Sequence, residues 1–224
     1  MDVGRQKLDV FNLFSENSMI NAKCKKCRRV GQKLFLKGER CFTVKCAMIK
    51  KPYPPGIHKK KRRRSLSEYG KQLLEKQKIR QTYGIRERQF KKYVKEIMFK
   101  KGDKRELLFR KLEKRLDNII FRLGWAKSRA QARQLISHGH VLINGRRVTI
   151  PSYEVKISDM IAVSKKSQKL TIFEGLKTTL KKQEAPPWLS LDKNKFEAKV
   201  KSEPSFEDSK DLQDLGIIIE YYSR

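Results

Sequence analysis

The sequence has no long hydrophobic run. None of its apolar stretches exceeds four residues, far short of the eighteen or so that a membrane-spanning helix needs. The opening MDVGRQKLDVFNLFSENSMI places Asp2, Asp9 and Glu16 among scattered apolar residues and lacks the continuous apolar core of a secretory signal. A cytoplasmic protein without a membrane partner is therefore expected. Acid is scarce as well: 24 Asp and Glu stand against 55 Lys and Arg, a formal net charge of +31 in 224 residues. Such an excess implies a polyanionic partner, and with membranes set aside that partner is nucleic acid. The chain also has no phosphate-binding glycine loop and no nucleophile constellation, which argues against an enzyme. It lacks dimerisation heptads, which argues against a symmetric DNA-binding regulator with a recognition helix.

Cysteine is equally sparse, and all four residues lie within one short stretch, NAKCKKCRRVGQKLFLKGERCFTVKCAMIK. Cys24 and Cys27 form a C-x2-C pair, and Cys41 and Cys46 a C-x4-C pair thirteen residues on. Such a pair fits two corners of a tetrahedron, and the intervening residues can fold as a knuckle that brings the second pair round. A reducing compartment disfavours structural disulfides. Neighbouring Lys25, Lys26, Arg28, Arg29 and Lys45 favour thiolates and offset the charge of a Zn(Cys)4 centre. The spacing favours structural Zn2+, with reduced free thiols and an iron–sulfur cluster as alternatives.

Between Arg40 and Ser67 there is no acid, and Pro52, Pro54, Pro55 and Gly56 forbid a helix. The run Lys59, Lys60, Lys61, Arg62, Arg63 and Arg64 reads as a phosphate-tracking arm, or else as a solvated charge run or localisation signal. Ser65 with Glu68 suggests a capping box opening a helix whose Leu66, Tyr69, Leu73 and Leu74 point to one side. Phe90, Tyr93, Val94, Ile97 and Met98 then form one apolar stripe opposite Lys91, Lys92, Lys95 and Lys100. Asp103 with Glu106 opens a third helix leading into Leu107, Leu108, Leu112 and Leu116.

From Ser128 the pattern changes. SRAQARQLISHG predicts a short helix capped by Ser128 and Gln131, burying Ala132, Leu135 and Ile136. Asn144-Gly145 predicts a type I′ hairpin, because both central residues need positive φ. MIAVS supplies a third strand, and a short helix is expected around residues 170–180. Lys127, Ser128, Arg129, Arg133, Gln134 and His138 surround the helix, with Arg146 and Arg147 just past the turn. This set suits phosphate and 2′-hydroxyl contacts better than base reading, the alternative being an ordinary solvated helix. The tail reverses sign, with six acids against two bases from Glu203 to Arg224, and holds a strand-like run at 217–219. It is expected to pack on the chain's own N-terminal part or on a neighbouring protein.

Taken together, CKKC…CFTVKCAM, KPYPPGIHKKKRRR, LSEYGKQLLEKQKIRQTYGIRERQF, RLDNIIFRLGWAKSRAQARQLISHGHVLINGRRVTIPSY, PPWLSLD and IIIEYYSR resemble the bacterial-type small-ribosomal-subunit protein four family. The resemblance implies an α+β fold: a mainly helical domain with an N-terminal zinc knuckle, residues 23–113 completed by 178–224, and an inserted small α/β RNA-binding module, 114–177. Residues 1–22 are a further extension. It also implies a structural ribosomal protein that binds a junction in the 16S rRNA 5′ domain, nucleates small-subunit assembly, contributes to decoding accuracy and lines the mRNA entry path. The acidic C-terminal segment would meet the fifth small-subunit protein. Arg80, Arg86 and Arg88 join the expected RNA contacts, and the four cysteines match the zinc-binding version of the family. The same module occurs on pseudouridine synthases, whose catalytic aspartate follows Arg-Leu. Here Arg115-Leu116-Asp117 runs straight into a helical pattern, so Asp117 reads as structural, pairing Arg115 or Arg122.

Overall fold

The computed structural model describes residues 23–56, 65–174, 176, 180, 185–192, 196–206 and 215–223. It divides into two compact units, Met1–Leu66 and Ser67–Arg224.

In the first unit, helix α1 (23–30) places Cys24 and Cys27 one turn apart, and the Gly31 N–H closes on the Cys27 carbonyl at 2.8 Å. A 3-10 turn, Gly38–Cys41, and helix α2 (Ala47–Lys50), which starts directly after Cys46, bring in the second pair. Arg28 clasps the proline segment to α1. Its guanidinium lies 4.8 Å from the centre of the Tyr53 ring and donates to the carbonyls of Lys51 and Tyr53 at 3.0 and 2.9 Å.

The second unit holds two hydrophobic clusters. Helices α3 (Glu68–Tyr83), α4 (Glu87–Met98) and α5 (Lys104–Glu113) build the first, and the last helix, α10 (Leu215–Ser223), adds Leu215 and Ile218 to it. The second cluster fills a module of α6 (Leu116–Arg122), α7 (Arg129–Ser137) and a sheet, around Trp125, Ile136, Ile161 and Phe196. Its strands are β1 (Val141–Ile143), β2 (Arg146–Arg147), β3 (Met160–Val163), β4 (Leu189–Asp192) and β5 (Glu197–Val200), with short helices α8 (Lys165–Gln168) and α9 (Thr171–Glu174) after β3. The order is β2-β1-β3-β5-β4 and every pairing is antiparallel.

Several expectations hold. Asp103 and Ser128 cap α5 and α7, accepting from the N–H groups of Arg105 and Gln131. Asn144 and Gly145 both have positive φ, 49° and 79°, between the paired Ile143 and Arg146. The buried stripe of α4 is Phe90, Tyr93, Val94 and Ile97.

Others are corrected. The cap of α3 is Ser67, whose hydroxyl accepts from Gly70 N–H at 3.2 Å, not Ser65. Its buried face is Gln72, Lys76, Ile79 and Tyr83, while Leu66 and Tyr69 are exposed. The polar members of that face are covered because α10 lies across them. Lys76 donates to Glu87 at 2.8 Å, with its ammonium 4.6 Å from the centre of the Tyr221 ring. The run at 217–219 is helical, not a strand, since only the helical period sets Leu215 and Ile218 together against α3 and α5. Segment 178–224 does not return to the helical domain whole. Strands β4 and β5 extend the module's sheet along β3, pairing Ile161 with Ala198, and Trp188, Phe196 and Val200 enter the module's cluster. Helix α10 joins the helices, as does Phe206, whose ring meets that of Phe109 edge-on at 5.8 Å.

Candidate nucleic-acid interface

The hairpin and the helix before it set one group of exposed side chains: Lys127, Gln134, His138, Arg146 and Arg147. Arg147 lies over Gly139, where an added Cβ would fall 1.8 Å from its Nε, and donates to the His138 carbonyl at 2.9 Å. The turn thereby fixes the guanidinium against the end of α7. Arg86 and Arg88 are exposed at the start of α4. Lys59, Lys60, Lys61, Arg62, Arg63 and Arg64 lie outside the described residues.

Four of the residues expected to contact RNA have partners within the chain. Arg133 donates through Nε to Asp117 at 2.7 Å, through Nη1 to the Gly84 carbonyl at 2.8 Å, and through Nη2 to the Tyr83 carbonyl. Arg129 donates to Asn118 at 2.8 Å and is sandwiched between the Tyr83 and Phe121 rings, 4.8 and 4.4 Å from their centres. Arg80 meets Gln77 at 2.6 Å and Glu87 at 3.4 Å. The Ser128 hydroxyl is buried as the α7 cap. The two arginines of α7 point inward because that face of the helix meets two acids, Glu113 and Asp117, which are 1% exposed.

Those acids organise the junction of the two clusters. Glu113, at the end of α5, accepts from Tyr83 Oη at 2.6 Å, Asn118 Nδ2 at 2.9 Å, and Arg122 Nη2 and Nε at 3.0 and 3.1 Å. Asp117 accepts from both Arg115 and Arg133, and Arg115 reaches on to Tyr93 at 2.8 Å. The structural reading of Asp117 therefore stands with Arg115 as partner, whereas Arg122 pairs with Glu113. The acidic tail joins the same surface, with Glu203 bridging Arg110 and Lys114. The clusters are held together by matched charge, and the exposed cations lie outside that network.

Burial pushes the Glu113 carboxyl up, but Arg122 and the hydrogen bond from Tyr83 outweigh it and hold it below the usual glutamate range. Glu87 behaves alike, with Lys76 and Tyr222 outweighing burial, and the Lys114 hydrogen bond lowers Glu203. Each folded value lies below the unfolded one, so the stability these groups contribute is complete above the ordinary value of 4.5 and is lost as pH falls through the folded values. The urea midpoint is expected to be flat from about pH 7 to 5 and to drop below that. A midpoint unchanged at about pH 3 would count against this charge matching.

In the first unit Cys27, Cys41 and Cys46 are buried and Cys24 is half-buried. All four line one cavity of about 20 Å³, with Leu34 and Met48 in its wall. Burial pushes the Cys27 thiol up, and the other three thiols are close enough to push it further. The donor set suits a soft divalent metal. Among the described residues, however, no three His, Cys, Asp or Glu side chains converge closely enough to hold an ion.

The sequence reading missed the Glu113 centre, whose partners lie up to 30 positions away. It also missed Phe99, which stands 91% exposed just past α4, although its place beyond the cationic face of that helix was legible.

Comparison with known proteins bears on both units. A model of the ribosomal protein S4/S9 N-terminal domain matches residues 18–113, and a model of the S4 domain matches residues 114–161. The chain is 48% identical over 201 residues to the small ribosomal subunit protein uS4 of Thermus thermophilus, covering 90% of this chain and 96% of that one. It is 47% identical over 202 residues to the uS4 of Thermotoga petrophila, with the same coverage. To the uS4 of Caldicellulosiruptor bescii it is 46% identical over 205 residues, 92% of this chain and 98% of that protein.

Proposed function

The chain belongs to the uS4 family of small-subunit ribosomal proteins, and from that premise we propose that it grips a multi-helix junction in the 5′ domain of 16S rRNA and helps nucleate small-subunit assembly. It is a structural component of the small ribosomal subunit and not an enzyme. The observation that carries the rRNA reading is the sorting of cations in Ser67–Arg224. Inward guanidiniums meet Glu113 and Asp117, while Arg86, Arg88, Lys127, Arg146 and Arg147 stand exposed on a strongly basic chain. Rigid, outward-facing cations suit the phosphates and 2′-hydroxyls of structured RNA.

Four finer proposals follow. The arm 59–64 tracks phosphates. The mRNA entry path is a further RNA contact. The acidic C-terminal segment meets the fifth small-subunit protein and through it bears on decoding accuracy. Cys24, Cys27, Cys41 and Cys46 hold a structural Zn2+. Four thiols on one cavity support that last reading, and the ion would supply cross-linking to a unit otherwise poor in core.

The test is affinity for a 16S 5′-domain junction RNA against an unrelated RNA of equal length, across a salt series. Both affinities are expected to fall by roughly a thousandfold or more between about 50 and 200 mM salt. A preference of about a thousandfold for the junction should persist throughout. Equal binding of the two RNAs would overturn the rRNA assignment.

A further inference from the structure

We propose that the outer face of α4 and the Phe99 ring beyond it form a contact for single-stranded RNA, in which the cations hold phosphates and the ring stacks an unpaired base. The proposal rests on the RNA-binding reading above and names a place and a chemistry that reading does not assign. Arg88, Lys91, Lys95 and Phe99 follow one another at three- and four-residue steps, with Lys92 beside Lys91. They therefore lie along one side of the helix over about 16 Å. That face is exposed, whereas the opposite one is locked into the helical cluster by Phe90, Tyr93, Val94 and Ile97, so the side chains project from a rigid element.

The face is electrostatically unspent. Arg88, Lys91 and Lys95 form no ion pair with any described residue. Its one acid, Glu96, sits 4.0 Å from Lys92 and 3.7 Å from Lys111 and is neutralised there. Lys100 and Lys101 prolong the cationic stretch past the ring.

Phe99 is the most exposed of the large hydrophobic residues in the described structure. It ends a shallow groove of about 350 Å³ lined by the stems of the same cations and by Glu96. An aromatic ring in a cationic groove repels a basic partner and offers an apolar one no uncharged surround. A polyanion that also presents a flat π-face satisfies both features, and only an unpaired nucleotide exposes one.

The full chain would be titrated with the 16S 5′-domain junction RNA, and 4-thiouridine-substituted RNA would be photo-cross-linked and mapped on the protein. Phe99→Ala should weaken binding roughly 5- to 150-fold. Phe99→Trp should bind as the parent does, and Phe99→Leu should bind as weakly as alanine. Because the ring is exposed, none of these should unfold the chain. Changing Lys91, Lys92 and Lys95 together to Gln should flatten the log–log salt dependence by about 2. A cross-link should fall at or beside Phe99. Parental affinity in Phe99→Ala, with no cross-link in the stretch 95–101, would overturn the proposal. So would an effect of Phe99→Ala confined to binding of another ribosomal protein. If the parent chain binds both RNAs alike while Phe99→Ala still weakens both, the rRNA reading falls and this contact stands.

Discussion

Replacing Glu113 with alanine is expected to destabilise Ser67–Arg224 by about 3–5 kcal/mol, the cost of stripping a buried charge network of one partner. The carboxylate is 1% exposed and is the common acceptor for a tyrosine hydroxyl from α3 and for an asparagine amide and a guanidinium from α6. Removing it takes from the Tyr83 hydroxyl and the Asn118 amide the carboxylate they donate to in a dry interior, and takes from Arg122 its buried counter-charge. In a unit of this size the melting temperature should fall by about 6–20 °C. Glu113→Gln keeps the shape and one acceptor and should be milder. The double variant Glu113→Leu with Arg122→Met, which removes both charges, should recover part of the loss. Circular dichroism melts of the four chains would decide it. A loss below about 1 kcal/mol in Glu113→Ala would mean the two clusters are joined by apolar packing alone.

The second large effect concerns the cysteines. The purified chain is expected to carry one zinc ion, and Cys24→Ser to release it, loosening residues 21–50 while the module at 128–148 stays folded. Structural zinc in small domains supplies on the order of 10–16 kcal/mol of apparent folding free energy at neutral pH. Among its described residues the first unit buries only a handful of apolar side chains, chiefly Val30 and Leu34 beside the cysteines. Ser67–Arg224, by contrast, has two hydrophobic clusters of its own. Metal content by colorimetric chelation, followed by amide exchange in the two regions, separates the outcomes. Unchanged zinc in Cys24→Ser, or no zinc in the parent, would sink the proposal.

What was legible in the sequence was what depends on neighbours along the chain. The stripe of α4, the caps of α5 and α7 and the Asn144-Gly145 hairpin all follow from local period and turn chemistry. What was not legible depends on distant partners. Gln72 and Lys76 look like solvent residues until α10 covers them. Residues 217–219, β-branched and apolar, suit a strand in isolation, and tertiary contact decides for a helix. The same reason hid the internal partners of Arg129 and Arg133. An arginine on a short amphipathic helix reads as a surface cation, and only the fold brings Asp117 and Asn118 beneath it. The candidate surface was thus visible as a population of cations, while the division between structural and free members was not.

The docking of α10 on α3 and α5 also fixes an order of events during synthesis. Leu215 and Ile218 complete a cluster whose first members, Ile79 and Tyr83, emerge more than a hundred residues earlier. At ordinary elongation rates that interval is on the order of ten seconds. Throughout it the nascent chain presents Gln72, Lys76 and the apolar floor beside them with no lid. Helix α10 is therefore the element that closes the helical cluster. A chain released before α10 is made would keep its hairpin and sheet yet display an open hydrophobic face, the feature by which quality-control machinery distinguishes unfinished proteins from finished ones.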